Sequence, residues 1–335
     1  MSKIIIDALT SSISNKIGFS LSKPFCSIFM LHRFAVPDEQ ISGHSADFLK
    51  KSLEYLRKEK FTFLSAEDVT NHLLEKRPFP KRSVCFTLDD GFWDQASVSA
   101  PIFSQYDCPA TYYLVTRFID QKIWMWDSKL EYLFENSTES SLTKLAQTIA
   151  TNSGKPPASA NLFNTLIDKL KRENLNSIDQ LLATWATTLE IDLPDEAPVK
   201  YRAMSWNDAQ SLIKLGQKVG PHSVTHPILA NETDEESERQ INQSWLELKT
   251  KIPEASDVFC YPVGRYGKDF GQREMEFVAR SEMRSAHAAD PGYIEAGKHD
   301  TITALKRYGF PDTMKDLKQY ATWLERAKDI TRSRK

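Results

Sequence analysis

The chain has 335 residues, with 43 Lys and Arg against 45 Asp and Glu, a formal net charge of -2 and 41% hydrophobic residues. This fits an ordinary globular protein and argues against a nucleic-acid partner bound through phosphate neutralisation. No segment reaches ~18 apolar residues without a charge, so no transmembrane span is expected.

At ~150 residues per domain the length allows two domains, yet an α/β barrel of ~250 residues or more fits as one. Asp7 interrupts the N-terminal apolar run before a secretory signal can form, and a cytoplasmic location is the expectation. Ile13 to Phe25 leaves room for contact with a membrane surface, although a packed helix is the first reading. Ser27 to Leu31 reads as a buried strand ending at His32-Arg33. Phe48, Leu49, Leu53 and Leu56 then mark a helix over 45–59. Phe61 to Leu64 is a short strand, and Ser65 with Asp68 caps the next helix. Ser83 to Leu88 is a second buried strand, ending in Asp89-Asp90-Gly91. After a helix-like stretch near 94–106, Ala110 to Val115 is another strand. The βαβα rhythm points to a parallel sheet or barrel.

The rhythm breaks after residue 127. The stretch to about 190 contains no convincing strand, and residues 127–200 are expected as a helical insertion within a single domain spanning 1–335. Gly154-Lys155-Pro156-Pro157 reads as a turn inside it. Alternation resumes with a helix near 206–215, a strand at Gln217 to Gly220, and the loop from Pro221 to Pro227. A helix over about 233–250, a strand at Val258 to Tyr261, and short units near 284–289 and 302–308 follow. The cysteines Cys26, Cys85, Cys108 and Cys260 form no CxxC pair, so a thiolate zinc site is not expected and buried reduced thiols are.

Polar residues recur at strand C-terminal ends, the edge where a β/α barrel gathers its catalytic side chains. Asp89 and Asp90 are adjacent carboxylates, costly to bury together without a cation. Neighbours on an extended chain point to opposite sides, which suits one carboxylate on a metal and the other free as a base. The plain alternative is a solvated turn with Asp90 as a helix cap. His222 and His226 stand four apart in a loop where the prolines disfavour a helix. Two imidazoles and a carboxylate are a common catalytic metal set, whereas surface or cap histidines are the bland reading. His32 ends the first strand, either as a catalyst or as a satisfied polar residue. His44, His72, His287 and His299 carry no partner pattern.

These residues resemble the polysaccharide deacetylases with a NodB homology domain, carbohydrate esterase family 4. Thr87-Leu88-Asp89-Asp90-Gly91 is similar to the family's TFDDG motif, His222 to Pro227 to its H-[ST]-x-x-H motif, and Phe259 to Gly264 to its FAYPYG form. The resemblance implies an α/β fold, a distorted (β/α) barrel, into which the helical stretch read at 127–200 would be inserted. It implies a hydrolase that removes an acetyl group from an N-acetylated sugar. Asp90, His222 and His226 would hold a divalent metal such as zinc, and Asp89 would be the general base. The N–H of Val263 would help hold the oxyanion. Phe29-Met30-Leu31-His32-Arg33 resembles the N-terminal MYHR strand of a subgroup whose histidine supplies the acid, and His32 takes that role here. A cytoplasmic location would imply a lipid- or nucleotide-linked substrate in surface-polysaccharide or lipopolysaccharide assembly. Deformylation or deacylation of another small amide, or non-catalytic carbohydrate binding, are the alternatives. Trp93, Trp124 and Trp126 are candidates for stacking on sugar rings or for ordinary core aromatics.

Two departures stand out. Cys260 occupies the position where many members carry an arginine that orients the base. Residues 302–312 contain no histidine, where members usually place the catalytic acid.

Overall fold

The structure, a computed structural model, describes residues 3–149, 157, 159–295, 297 and 301–332. The turn expected at Gly154-Lys155-Pro156 and the surface reading of His299 fall outside these residues. Helices α1 (Lys3–Leu9) and α2 (Ser12–Leu21) precede β1 (Cys26–Leu31). Helix α3 (Ala46–Lys58) leads to β2 (Thr62–Leu64), α4 (Ala66–Leu74) to β3 (Ser83–Leu88), and α5 (Ala100–Gln105) to β4 (Thr111–Leu114). The short α6 (Thr116–Ile119) is followed by α7 (Trp126–Glu135), α8 (Glu139–Thr148), α9 (Ser159–Leu170) and α10 (Leu175–Leu189). Helix α11 (Trp206–Lys214) precedes β5 (Lys218–Pro221), α12 (Asp234–Lys251) precedes β6 (Val258–Cys260), and α13 (Gln272–Arg280) precedes β7 (Ser285–His287). The short strands β8 (Tyr293–Ile294) and β9 (Tyr308–Gly309) and helices α14 (Met314–Ala321) and α15 (Trp323–Arg332) follow.

Local chemistry sets the helix starts. Ser65 Oγ accepts from Asp68 N at 3.1 Å while Asp68 Oδ2 accepts from Ser65 N at 2.9 Å, closing a reciprocal cap. Ser205 and Asp208 repeat the arrangement at α11. The strands are apolar because both faces are covered: all six residues of β3 are buried.

The sheet places the site. Strands β1 and β3 pair in parallel with Leu31 opposite Leu88, so the next residues, His32 and Asp89, leave the sheet side by side. Strand β4 pairs with β3 and with β5, where Leu114 faces Pro221 and His222 N donates to the Leu114 carbonyl at 3.0 Å. Strands β6 and β7 form their own parallel pair. Thin seams carry the path around. Ser256 N donates to the Val219 carbonyl at 2.7 Å, His287 bridges Leu305, and β9 returns to β1. This is a distorted barrel, with ladders interrupted at two places. Strand β8 departs from the parallel rule and pairs antiparallel with the start of β1. Gly220 is needed where β5 comes close to its neighbours, because a Cβ there would lie 2.8 Å from both the Tyr113 ring and the Val258 carbonyl.

Among the described residues between 127 and 200 there is no strand. Helices α7 to α10 enclose a core of their own, including Leu130, Leu133, Leu166, Ile178 and Trp185. Ile228 and Val263, from loops at the strand C-terminal edge, pack into that core, so the helical layer rests on the edge that carries the polar residues.

Candidate active site

Asp90 follows β3 and is buried, with a backbone φ of +86° that a residue with a Cβ seldom adopts. Gly91 continues the same turn at φ +94°. The conformation swings the Asp90 carboxylate toward the loop after β5. There His222 Nε2 lies 3.5 Å and His226 Nε2 3.4 Å from Asp90 Oδ1. Ser223 and His226 also have positive φ, 68° and 57°, so three strained positions build one cluster. Ser223 Oγ accepts from His226 N at 3.0 Å and holds the loop shut.

The spacing decides what the cluster suits. His222 Nδ1 lies 2.8 Å from the Cys260 carbonyl, an acceptor, so that nitrogen donates and Nε2 is the one turned toward Asp90. Burial pushes the His222 pKa down, but Cys260 and the carboxylates of Asp90 and Asp89 outweigh it and hold it well above its ordinary value, so a cation bound there would displace the Nε2 proton. His222 Nε2 and His226 Nε2 both point at the one carboxylate oxygen, at 3.5 Å and 3.4 Å. Both distances are too long for a charge-assisted hydrogen bond of about 2.7–2.9 Å. Ligands bound at about 2.0–2.1 Å to a tetrahedral ion stand about 3.3–3.4 Å apart, close to both distances seen here. The donor atoms of all three residues lie within 4.8 Å of one another. The trio fits a divalent cation. Burial, offset in part by Asp90, lowers the His226 pKa to about 4, which keeps its ring neutral as a ligand must be. Asp89, His222 and Cys260 form a second group of similar size, but Asp89 is engaged elsewhere and burial keeps Cys260 a thiol.

Asp89 is held by Arg307, with Nη1 to Oδ1 and Nη2 to Oδ2 both at 2.7 Å. Arg307 comes from the approach to β9 and is 1% exposed. Its other donors go to the Thr87 hydroxyl at 2.9 Å, the Ala288 carbonyl at 2.9 Å and Cys260 Sγ at 3.2 Å. Burial pushes the Asp89 carboxyl up, but Arg307, with His222 and His32, overrides it and holds the group well below the usual carboxylate range. The arginine absent at position 260 is thus replaced in space by one 47 residues further on, against the small Cys260 side chain. Sequence reasoning missed it. The available signal was a lone arginine set among Leu305, Tyr308 and Phe310, all of them buried.

Gln95 is a second missed residue. It opens a π-helical turn over Gln95–Ser99 and is fully buried. Its side-chain amide donates to the Asp89 carbonyl and, at 2.6 Å, to the His32 carbonyl, tying the ends of β1 and β3 together. Asp94 secures the same corner by accepting from Arg33 Nε at 2.8 Å and Phe34 N at 2.6 Å. His32 is half-buried there, near enough for its charge to act on Asp89, Asp90, His226 and Asp127.

Asp127, at the start of α7, brings a third carboxyl to the site from the helical layer. Burial and the nearby Asp90 raise its pKa to about 6. Val263 has φ +58°, an outlying value for a β-branched residue, within a γ-turn in which Gly264 N donates to the Pro262 carbonyl at 2.5 Å. Trp124 and Trp126 are buried; Trp126 Nε1 donates to the His226 carbonyl at 3.1 Å and braces that loop, whereas Trp124 packs against the Tyr132 and Tyr201 rings as a core aromatic. Trp93 lies under the Arg202 guanidinium at 3.7 Å. His287 is a core residue, with Nδ1 2.9 Å from the Tyr113 hydroxyl.

The sequence profile of the polysaccharide deacetylase family matches residues 76–278, more than half of the chain. The chain belongs to the polysaccharide deacetylase family. Among proteins with curated descriptions, none matches this deacetylase by sequence. Solved structures share its fold. The Streptococcus pyogenes deacetylase PplD, in complex with acetate, is 16% identical, with a TM-score of 0.57 over 90% of this chain and 99% of that one. IcaB from Ammonifex degensii is 13% identical, with a TM-score of 0.53 over 90% and 97%. The de-N-acetylase from Aggregatibacter actinomycetemcomitans is 12% identical, with a TM-score of 0.56 over 88% and 99%. No helix among the described residues of this deacetylase is long and apolar enough to cross a membrane.

Proposed function

We propose that this deacetylase hydrolyses the N-acetyl group of a sugar with the help of a divalent cation, preferably zinc. The observation that carries the reading is the trio Asp90, His222 and His226, with both imidazole Nε2 atoms 3.4–3.5 Å from one carboxylate oxygen, beside the Arg307-held Asp89. The chemistry an ion supplies there is Lewis acidity, which polarises an amide carbonyl and makes water a better nucleophile near neutral pH. Asp89 receives the proton of the attacking water. Its low pKa keeps the carboxylate ionised and ready to accept a proton; as a weak base it would rely on a cation held by Asp90, His222 and His226 to make the water more acidic. The bidentate Arg307 fixes its orientation. The backbone N–H of Val263, presented by the γ-turn, stabilises the developing oxyanion. His32 donates a proton to the departing nitrogen, as an imidazolium can near neutral pH.

An acetyl group is supported by the acetate in the PplD complex, and cleavage from nitrogen by the Aggregatibacter protein, itself a de-N-acetylase. The four cysteines are free and buried, which supports a reducing, cytoplasmic setting and hence a lipid- or nucleotide-linked substrate. Residues 127–200, as an insertion within one domain spanning 1–335, would shape substrate choice through Asp127.

The test is acetate release from N-acetylated sugar oligomers, with elemental analysis of the protein. We expect one ion per chain and activity abolished by a chelator. Asp90→Ala should empty the site and lower turnover by about 10³-fold or more, a loss of several kcal/mol of charge stabilisation. Full metal occupancy in Asp90→Ala would sink the assignment, and a metal-loaded protein without acetate release would sink the activity.

A further inference from the structure

Eight large hydrophobic side chains are exposed among the described residues, and three of them share one helix face. Ile13, Ile17 and Leu21 stand four apart on α2 and are 75%, 56% and 85% exposed. At 3.6 residues per turn they form one continuous stripe. The other exposed apolar residues lie singly. Helix α2 is anchored by its opposite face. Asn15 Nδ2 donates to the Thr10 carbonyl at 2.9 Å, and Phe19 meets the Phe61 ring edge-on with centroids 5.8 Å apart. Gly18 lets the helix press on α15, since a Cβ there would come within 2.3 Å of the Trp323 ring.

The two flanks of the stripe differ. On one side Leu9, Ile17, Leu21, Trp323 and Arg326 line a mainly apolar groove of about 600 Å³. On the other, Lys16, Lys58, Lys60, Lys81 and Arg82 surround a hollow of about 510 Å³. The single acid there, Glu59, lies 3.5 Å from Arg82. With Arg82 committed to Glu59, four lysines remain as surplus positive charge on a chain whose formal net charge is -2. All of this lies at the strand N-terminal ends, since Leu21 precedes β1, Lys60 precedes β2 and Arg82 precedes β3.

We propose that this floor of the barrel docks on an anionic lipid bilayer. The apolar stripe enters the headgroup boundary while the flanking lysines meet lipid phosphates, the arrangement by which amphipathic helices lie in a membrane surface. Charge complementarity selects this occupant over a second copy of the chain. A two-fold contact would set the same cationic hollow against itself. The inference does not depend on the proposed activity, because no residue of the candidate active site takes part.

Flotation of the full chain with vesicles tests it. Binding to equal parts phosphatidylglycerol and phosphatidylcholine should exceed binding to pure phosphatidylcholine by about tenfold or more, and should weaken with salt. The pairs Ile17→Glu with Leu21→Glu, and Lys60→Glu with Lys81→Glu, should each cost about tenfold in partitioning. Neither pair should change acetate release from a soluble substrate. If a glutamate pair alters the thermal melt, Ile17→Ser with Leu21→Ser serves instead, with the same expected direction. Equal binding to both vesicle types would overturn the proposal, as would binding untouched by the substitutions. So would a dimer in solution that the stripe substitutions dissolve without lipid.

Discussion

The two ends of the barrel handle charge and apolar surface in opposite ways. At the strand C-terminal end, Asp89, Asp90, His222 and Arg307 are buried and locked into mutual contacts by strained backbone and carbonyl acceptors. At the N-terminal end, lysines surround an open hollow and isoleucines face outward. Burying a charge costs several kcal/mol unless partners are fixed in place, so the first end is rigid by necessity. The second carries no such constraint, because its charges remain hydrated. The contrast teaches that chemistry here is bought with preorganisation, whereas surface recognition needs only an unsatisfied face.

The sharpest way to break this comparison is Arg307→Ala. It strips the partner from a buried carboxylate, and we expect turnover to fall by about 10²–10⁴-fold and stability by about 3–5 kcal/mol. Adding Cys260→Arg to that variant should restore at least about tenfold of the activity, since the guanidinium would again reach Asp89. Kinetics with a urea melt would show it. An unchanged turnover in Arg307→Ala would mean that Asp89 needs no external orientation.

A second test separates the rim from the interior. His32→Ala should keep its metal and fold yet lose about 10²-fold on amide substrates, where the leaving nitrogen must be protonated. On an activated ester, whose leaving group departs without a proton, the loss should be much smaller. Equal losses on both substrates would defeat the acid role.

The smallest expected effect lies deeper in the barrel. Burial and the nearby Arg307 lower the His287 pKa to about 3 from an ordinary 6.5. Between those values the unfolded chain takes up a proton and the folded one does not, so acid weakens the fold. For this group the slope is about 1.4 kcal/mol per pH unit below 6.5. The stability gap between the native chain and His287→Gln should therefore shrink by about 1.4 kcal/mol between pH 7.5 and pH 5.5. A constant gap in urea unfolding would show that His287 titrates alike in both states.

Much of the architecture was legible because strands buried on both faces leave unbroken apolar runs. Ser83 to Leu88 is the clearest, and its predicted limits are those observed. Asp89, Asp90, His222 and His226 were legible because their types and spacing suit one another within short loops. Arg307 was not, since it meets Asp89 across 218 residues and nothing local to 307 announces an ion pair. Asp127 was hidden for a related reason: its place near Asp90 is set by the packing of α7 against the strand edge. The exposed stripe on α2 shows the limit of periodicity. Four-residue spacing marks a face, and only the anchoring of Phe19, Asn15 and Gly18 fixes which face remains outside.

Strand β1 runs from the helical floor to His32, and its length has a mechanical meaning. Six residues in extended form cover about 20 Å. With α2 resting on a bilayer as proposed, the strand becomes a spacer between the lipid surface and His32, the proposed acid. The mouth of the site then opens away from the membrane at that height. A lipid-linked substrate would then be reached at an acetylated sugar carried some way along the chain from its lipid head, and not at one joined directly to it. The enzyme would act as a ruler, choosing its acetyl group by distance from the surface as well as by chemistry.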